Sequence, residues 1–400
     1  MFSATVTTCL AVTAMALVMH RLAHWATLRQ IRSAPAPRLG MNATTEALTV
    51  LKPVKGLEEE LEQNLRSFFE QVYPGPLQFV FASTEPADPG IMLARRIARE
   101  YPEVSTRFVQ SDPTFGNNPK VSNLAGALLA AEHDLVLQTD ANVRVRPGYL
   151  RDVVEEWQAT GASMLGSLIA ARGERSLGAV LDNIQINTFT TPGLCLADRL
   201  ANIQCVLGKA MLFRRSELDS LGGLALVKDV LAEDYVLGQI YASAGKRVVL
   251  SRFSVDNVNV AAPFSRFLAR HARWLKMRVV VHLGGFVADL LSNAPFFAFV
   301  AWIASGFAPP LAAVYLGVVL YKVALDQRLI ASLRGEPLSF AHALCMPLRD
   351  LIMPWIWLYA AFSRTTEWRG ARFRLGRGSV LTPLNSVGGA PTLAPPSVDP

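Results

Sequence analysis

Apolar residues gather at the two ends of this chain, and between them short strand-like and helix-like stretches alternate. Few architectures satisfy both halves of that pattern. An α/β domain in water, tied at each end to segments that enter a membrane, is the one that does. With 51% apolar residues over 400 positions and a mean hydropathy of +0.27, the chain is too apolar for a purely soluble enzyme.

Residues 4–19 are apolar with several threonines, close to the ~20 residues a spanning helix needs. No basic residue precedes them, as a cleaved signal peptide would require. Arg21, Arg29, Arg32 and Arg38 follow instead, so residues 1–27 read as a retained anchor with the next segment on the cytoplasmic side. Apolar runs at 286–305, 307–324 and 338–362 predict a C-terminal transmembrane region over 284–364, for three or four spans in all. The last run is interrupted by Arg349-Asp350, an ionisable pair that either faces protein or lies at the interface. Residues 376–400, rich in Gly, Pro and Ser, read as a disordered tail.

Between residues 45 and 280 the pattern predicts strands at 47–54, 77–82, 106–109 and 134–138. Helices are predicted at 58–72, 89–100 and 120–131. This alternation is the mark of an α/β fold, a parallel sheet with helices on both faces. Such sheets bind ligands beyond the carboxyl ends of their strands, where residues 83–88 and 139–142 fall. No GxGxxG follows the first strand and no GxxxxGK[ST] occurs, which disfavours a dinucleotide dehydrogenase and a P-loop NTPase. Phosphates then need another partner, most simply a divalent cation. The net charge, 39 − 32 = +7, suits a nucleotide or lipid headgroup. No nucleic-acid-binding module accompanies it, so nucleic acid is not an expected partner. Cys9, Cys195, Cys205 and Cys345 show no CxxC spacing and the six histidines no HExxH pair, against a disulfide framework or a His-ligated metal.

Three constellations carry candidate chemistry. Asp140 and Asn142 follow a strand at i and i+2, either as hard oxygen ligands for Mg2+ or Mn2+ or as ordinary turn formers. Glu233-Asp234-Tyr235 opens a helix, where the acids either complement its dipole or take a proton from an attacking hydroxyl. Residues 264–278 form an amphipathic helix with Phe267, His271 and Leu275 on one face and Arg266, Arg270, Arg273 and Lys276 toward the other. That helix can rest on the membrane surface, grip a diphosphate, or do both.

The order and spacing of these pieces resemble the ceramide glucosyltransferase family from about residue 51 to 374. The matching stretches are Leu51-Lys52-Pro53-Val54-Lys55-Gly56, Asn118-Pro119-Lys120, Gln204-Cys205-Val206-Leu207-Gly208, Ala232-Glu233-Asp234-Tyr235, Arg270-His271-Ala272-Arg273-Trp274 and Trp368-Arg369-Gly370. Together they make a D…D…D…[QR]xxRW series. The resemblance implies a GT-A-like domain, a UDP-sugar donor, a divalent cation (Mg2+ or Mn2+), and a cytoplasm-facing site that delivers glucose to a membrane lipid hydroxyl with inversion. It implies that Asp88 contacts the nucleotide, with Glu85 three residues earlier in the same loop. It implies that Asp140 meets metal and diphosphate, Asp234 is the general base, and Lys120 and Cys205 lie near the donor. Arg270, Arg273 and Trp274 would form the membrane-side pocket.

Two departures bear on the acceptor and the metal. Asn142 stands where many related sugar transferases carry a second acid. Thr190-Thr191-Pro192 stands where ceramide enzymes carry a histidine before proline. Transfer of N-acetylglucosamine or another sugar to a different lipid, such as a hopanoid, is the alternative reading. A processive polysaccharide synthase fits less well, because those enzymes carry Gln at the Arg270 position and more spans. The Ala- and Arg-rich composition suits a bacterial inner membrane.

Overall fold

The computed structural model describes residues 3–33, 45–201, 203, 206–368 and 370–384. The first alternation is realised as expected. Strands β1 (Leu48–Pro53), β2 (Leu77–Ser83), β3 (Ser105–Gln110) and β4 (Leu135–Thr139) pair in parallel in the order β3-β2-β1-β4. Every residue of the central β1 is buried, because helices cover both faces. Its side chains divide with period two: Leu48 and Val50 pack with Leu65, Phe68 and Phe79, while Leu51 packs with Val80, Val121 and Leu124. The helices Pro89–Ala98 and Pro119–Leu129 both begin with proline and are capped by Asp88 and Asn118, whose side chains accept first-turn N–H groups.

The second half extends the sheet. Strands β5 (Val143–Arg144), β6 (Met164–Arg172), β7 (Ala210–Arg214) and β8 (Val248–Val258) complete the order β3-β2-β1-β4-β7-β6-β8-β5. β7 runs antiparallel to both β4 and β6, so the eight-stranded sheet is mixed. This insertion brings the residues just before β7 alongside the end of β4.

Helices Ala4–Arg32 and Pro309–Arg334 are long and apolar enough to cross a membrane, and Leu283–Leu291 with Ala294–Ala304 form a pair bent by 56°. Among the described residues two helices could therefore span, or three if the bent pair is one span, against the three or four expected. The helix Cys345–Phe362 turns Arg349 and Asp350 inward, burying both. The amphipathic helix extends over Phe264–Val281 and packs Phe267, Ala272 and Leu275 against Leu181, Phe286, Ile356 and Ala360. It joins the sheet domain to the membrane-side helices.

Strands β9 (Thr365–Trp368), β10 (Ala371–Leu375) and β11 (Leu381–Pro383) form a small antiparallel sheet. The expected tail is therefore corrected over residues 376–384. Leu381 packs with Leu375, Phe373 and Leu231, and the apolar side chains anchor a segment whose Gly and Ser content suggests disorder. Residues 385–400 lie outside the described residues.

Candidate active site

Asp140 stands one residue past β4, in the loop where a parallel strand presents its ligands. Its Oδ1 lies 3.1 Å from Lys120 Nζ and its Oδ2 2.9 Å from Lys209 Nζ. Lys120, in the first turn of its helix, also reaches Glu233 Oε1 at 2.8 Å and donates to the Gly208 carbonyl at 2.9 Å. The Gly208 N–H donates in turn to Asp234 Oδ2 at 2.6 Å, and the Tyr235 N–H to Asp234 Oδ1 at 2.8 Å. Acids separated by more than ninety positions, at Asp140 and Asp234, thus meet through one lysine and one glycine. Gly208 is required by this closeness: a Cβ there would sit 2.8 Å from Lys120 Nζ and 3.0 Å from Asp234 Oδ2.

The charges set each other's state. Burial acts to raise Asp140, but the Lys120 and Lys209 ammonium groups outweigh it and hold the carboxyl well below its usual range. Burial acts to lower Lys120, and Asp140, Glu233 and Asp234 outweigh that in the other direction. Glu233 is raised by its burial and further by Asp234, which Lys120 only partly offsets. Beneath the cluster, Lys52 is fully buried in β1. Its Nζ lies 3.6 Å from the Phe68 ring centroid and 3.3 Å from the Asp140 carbonyl oxygen. Burial pushes it down to about 7, against the pull of Asp140.

Asn142 joins the cluster as a spacer. Its Oδ1 accepts from Lys209 at 2.8 Å and its Nδ2 donates to Asn257 Oδ1 at 3.1 Å. Among the site's side chains, Asp140 alone presents a carboxylate at the end of β4.

Asp88 requires a correction. It is fully buried. Its Oδ1 accepts the Gly90 and Ile91 N–H groups, and its Oδ2 accepts the Gly56 N–H and the Ser83 hydroxyl. A carboxylate so completely satisfied caps a helix and fixes the 56 and 83 turns, with no oxygen left to contact a nucleotide. Glu85 in the same loop is half exposed and 3.4 Å from Lys55 Nζ.

The basic helix divides its residues. Arg270 donates to Asp182 Oδ2, His271 Nε2 lies 2.7 Å from Asp182 Oδ1, and Asn259 Nδ2 donates to Asp182 Oδ2 at 2.7 Å. Arg270 is therefore bound to Asp182 here. Trp274 packs with Ile169, Ala171, Ile186 and Leu207, next to the Gly208 that holds Asp234, and Arg273 is half-buried beside it. Cys205 lies outside the described residues.

Lys209 and Asp182 were not singled out from sequence. Asp182 did carry a signal: it is an isolated acid within the apolar stretch Leu177–Gln185, and a buried acid needs a cationic partner. Lys209 carried none beyond its place after Gly208.

A mannosyltransferase from Pyrobaculum calidifontis, solved with GDP-mannose and Mn2+, has a similar fold. Its TM-score is 0.52 at 20% identity, covering 89% of this chain and 97% of that one. The sheet domain is accordingly GT-A-like. Ceramide glucosyltransferase 1 of Caenorhabditis elegans is 25% identical over 359 residues, covering 86% of this chain and 75% of the relative. A ceramide glucosyltransferase of Komagataella phaffii is 32% identical over 195 residues, covering 44% of this chain and 38% of the relative. Residues 7–381 match glycosyl transferase family 21, and with that match spanning both the sheet domain and the membrane-side helices, the chain belongs to this family of sugar-transferring enzymes.

Proposed function

We propose that this protein transfers a single sugar, glucose from UDP-glucose, to the primary hydroxyl of ceramide or a similar membrane lipid, with inversion at the anomeric carbon. The observation that carries the reading is the convergence of Asp140, Lys120, Lys209 and Asp234 at the carboxyl end of β4, beside a basic helix that packs on membrane-side helices. The similarity to curated ceramide glucosyltransferases supports the choice of sugar and acceptor.

In this reading Asp234 takes the proton from the acceptor hydroxyl as its oxygen attacks the anomeric carbon. Two backbone N–H groups orient the carboxylate, which stays partly exposed and so within reach of the substrate. Lys120 and Lys209 supply positive charge beside the departing diphosphate. The donor chemistry around Asp140 fits a hard cation: a carboxylate with 21% of its side chain exposed, in reach of phosphate oxygens that would complete the shell. Asp140 would hold that cation, which when bound neutralises charge on the leaving group. Arg270 and Arg273 would serve the diphosphate and Trp274 the acceptor pocket. The catalytic domain would face the cytoplasm, with bacterial inner membrane its setting.

The test is direct. Detergent-solubilised protein given radiolabelled UDP-glucose and ceramide should yield a chloroform-extractable product carrying one hexose, and EDTA should suppress it. Label that stays wholly aqueous across ceramide and other hydroxylated lipids would overturn the proposal. One observation favours a second acceptor. Thr190 ends a π-helical turn, Ile186–Thr190, that lies between β6 and the membrane-side helices, where ceramide enzymes place a histidine. Transfer to another hydroxylated lipid would appear in the same assay as product on that lipid alone.

A further inference from the structure

The helix Glu233–Ser243 carries Asp234 in its first turn, yet its own sequence supplies no side-chain cap. Ala232 stands at the N-cap position and offers no acceptor of its own, so local sequence does little to fix where the helix starts. The acceptor side chain comes instead from 147 residues further along the chain. The Ser379 hydroxyl accepts the Ala232 N–H at 3.1 Å, and the Ser379 carbonyl accepts the Leu231 N–H at 3.0 Å. Val230 and Val380 form an antiparallel bridge beside them, and the Leu381 N–H donates to the Asp229 carbonyl at 2.7 Å.

Ser379 adopts an unusual conformation to make these contacts. It is fully buried, and its φ of +61° lies in the left-handed region, where a residue with a Cβ is strained. Such strain persists only where surrounding contacts overdetermine it. Leu375 and Leu381, on either side, pack with Leu231. Asn117 and Asn118 hold the same segment as well. The Asn117 N–H donates to Asp229 Oδ1 at 2.8 Å, and Asn118 Nδ2 donates to the Val230 carbonyl at 2.7 Å. Asn117 Nδ2 also donates to the Leu381 carbonyl at 3.3 Å, which closes a ring of three chain segments. Asn118 caps the helix that carries Lys120, and Lys120 meets Glu233. The Gly208 and Tyr235 N–H groups orient the Asp234 carboxylate, which requires the helix to start in this register.

We propose that Ser379 is a positioning residue for Asp234: its hydroxyl, held by a strained backbone, sets the start of the helix and so the place of the carboxylate. It acts through the backbone of residues 231 and 232 and touches no substrate. The proposal rests on the sugar-transfer reading above, but one of its two readouts needs no turnover. The full chain in detergent is compared with Ser379→Gly. Glycine accepts the left-handed φ and deletes only the hydroxyl, so the melting temperature should stay close to that of the parent. In hydrogen exchange followed by mass spectrometry, the peptide spanning residues 231–236 should exchange about tenfold faster. In the transfer assay kcat should fall about tenfold while KM for UDP-glucose stays within about twofold. Thr382→Ala, exposed on the neighbouring strand, should move neither readout. Asn117→Ala cuts the ring at the Leu381 carbonyl. It should speed exchange of the same peptide by about threefold and lower kcat in the same direction, and it decides the matter if Ser379→Gly does not fold.

Unchanged exchange across residues 231–236, or faster exchange with kcat unaltered, would overturn the proposal. So would a Ser379→Gly protein that melts lower yet keeps both kcat and KM, which would mark the serine as a support for the fold alone. Faster exchange in the variant, when neither protein transfers sugar to any hydroxylated lipid, would sink the transfer reading and leave the hold on the helix start standing.

Discussion

Two buried charge clusters of similar composition sit at opposite ends of this molecule's purpose. At the end of β4, Lys120 and Lys209 face Asp140 and Glu233. In the membrane-side helices, Lys322 and Arg349 face Asp326 and Asp350. The first keeps an edge open, with side chains of Lys120, Asp140 and Lys209 exposed by 12 to 21%. The second is closed, at 0 to 6%. An open cluster can exchange its internal partners for the charges of a substrate. A closed one can only hold: its residues belong to Pro309–Arg334 and Cys345–Phe362, and His20 and His24 add Ala4–Arg32 through Asp326. Similar pairings therefore differ chiefly in their access to solvent: under the proposed function the open one is suited to exchange, and the closed one joins three helices.

The sharpest way to break that comparison is at Asp234, the group proposed above as the general base. Asp234→Asn is expected to lower sugar transfer by about 10²- to 10⁴-fold while the protein still unfolds cooperatively on heating. Near-normal turnover in a label-transfer assay would remove the base from the mechanism. Next come the two lysines compared directly. Lys322→Met should cost about 3–5 kcal/mol by leaving closed-off carboxylates unpaired. Lys120→Met should cost about 1–3 kcal/mol, because water can enter the cleft, and should in addition weaken donor binding. Thermal unfolding in detergent, with nucleotide-sugar titration alongside, reads both. Equal destabilisation would erase the distinction between open and closed.

Lys52 tests the floor of the open cluster. Its folded value, about 7, lies below the ordinary 10.5. Below pH 7 the ammonium is carried in folded and unfolded chains alike, and its burial cost is fully present. As pH rises toward 10.5 the folded chain has released a proton that the unfolded chain keeps, so stability rises. Lys52→Met should therefore stabilise at pH 6 by about 2–3 kcal/mol, after loss of the contact with Phe68, and the gain should vanish by pH 10. A pH-independent difference would contradict the buried ammonium. The smallest expected effect is at Asp182, where Asn keeps the shape and loses the charge on Arg270 and His271. Transfer efficiency should fall about tenfold with little change in melting.

Much of the open cluster was legible in the sequence. β1, β2 and β4 follow from almost wholly buried, largely apolar runs, and two of the helices between the strands from a capped proline start; β3, half exposed, is legible from its place in the alternation. The residue after β4 and the acids at a helix start are where such folds present ligands. Asp140, Lys120 and Asp234 meet as their motifs predict. Asp88 misled because a cap and a ligand look alike in sequence: both are acids beside a turn, and only burial tells them apart. The closed cluster was barely legible. Its members are i,i+4 or adjacent pairs on separate helices, and no periodicity states which helix faces which. β7 entering antiparallel was equally hidden, since strand direction depends on where a long excursion returns.

The short strap around Ser379 and Leu381 has a consequence for the order of events in the making of this protein. Leu231 N–H donates to the Ser379 carbonyl at 3.0 Å, Ala232 N–H to the Ser379 hydroxyl at 3.1 Å, and Leu381 N–H to the Asp229 carbonyl at 2.7 Å. These clasps hold the residues immediately before Glu233 and Asp234. In chain order Ala4–Arg32, the sheet domain and the membrane-side helices all precede residue 381, so these bonds are among the last that synthesis allows to close. The residues just before Glu233 and Asp234 therefore receive these hydrogen bonds from a segment made after every membrane-side helix.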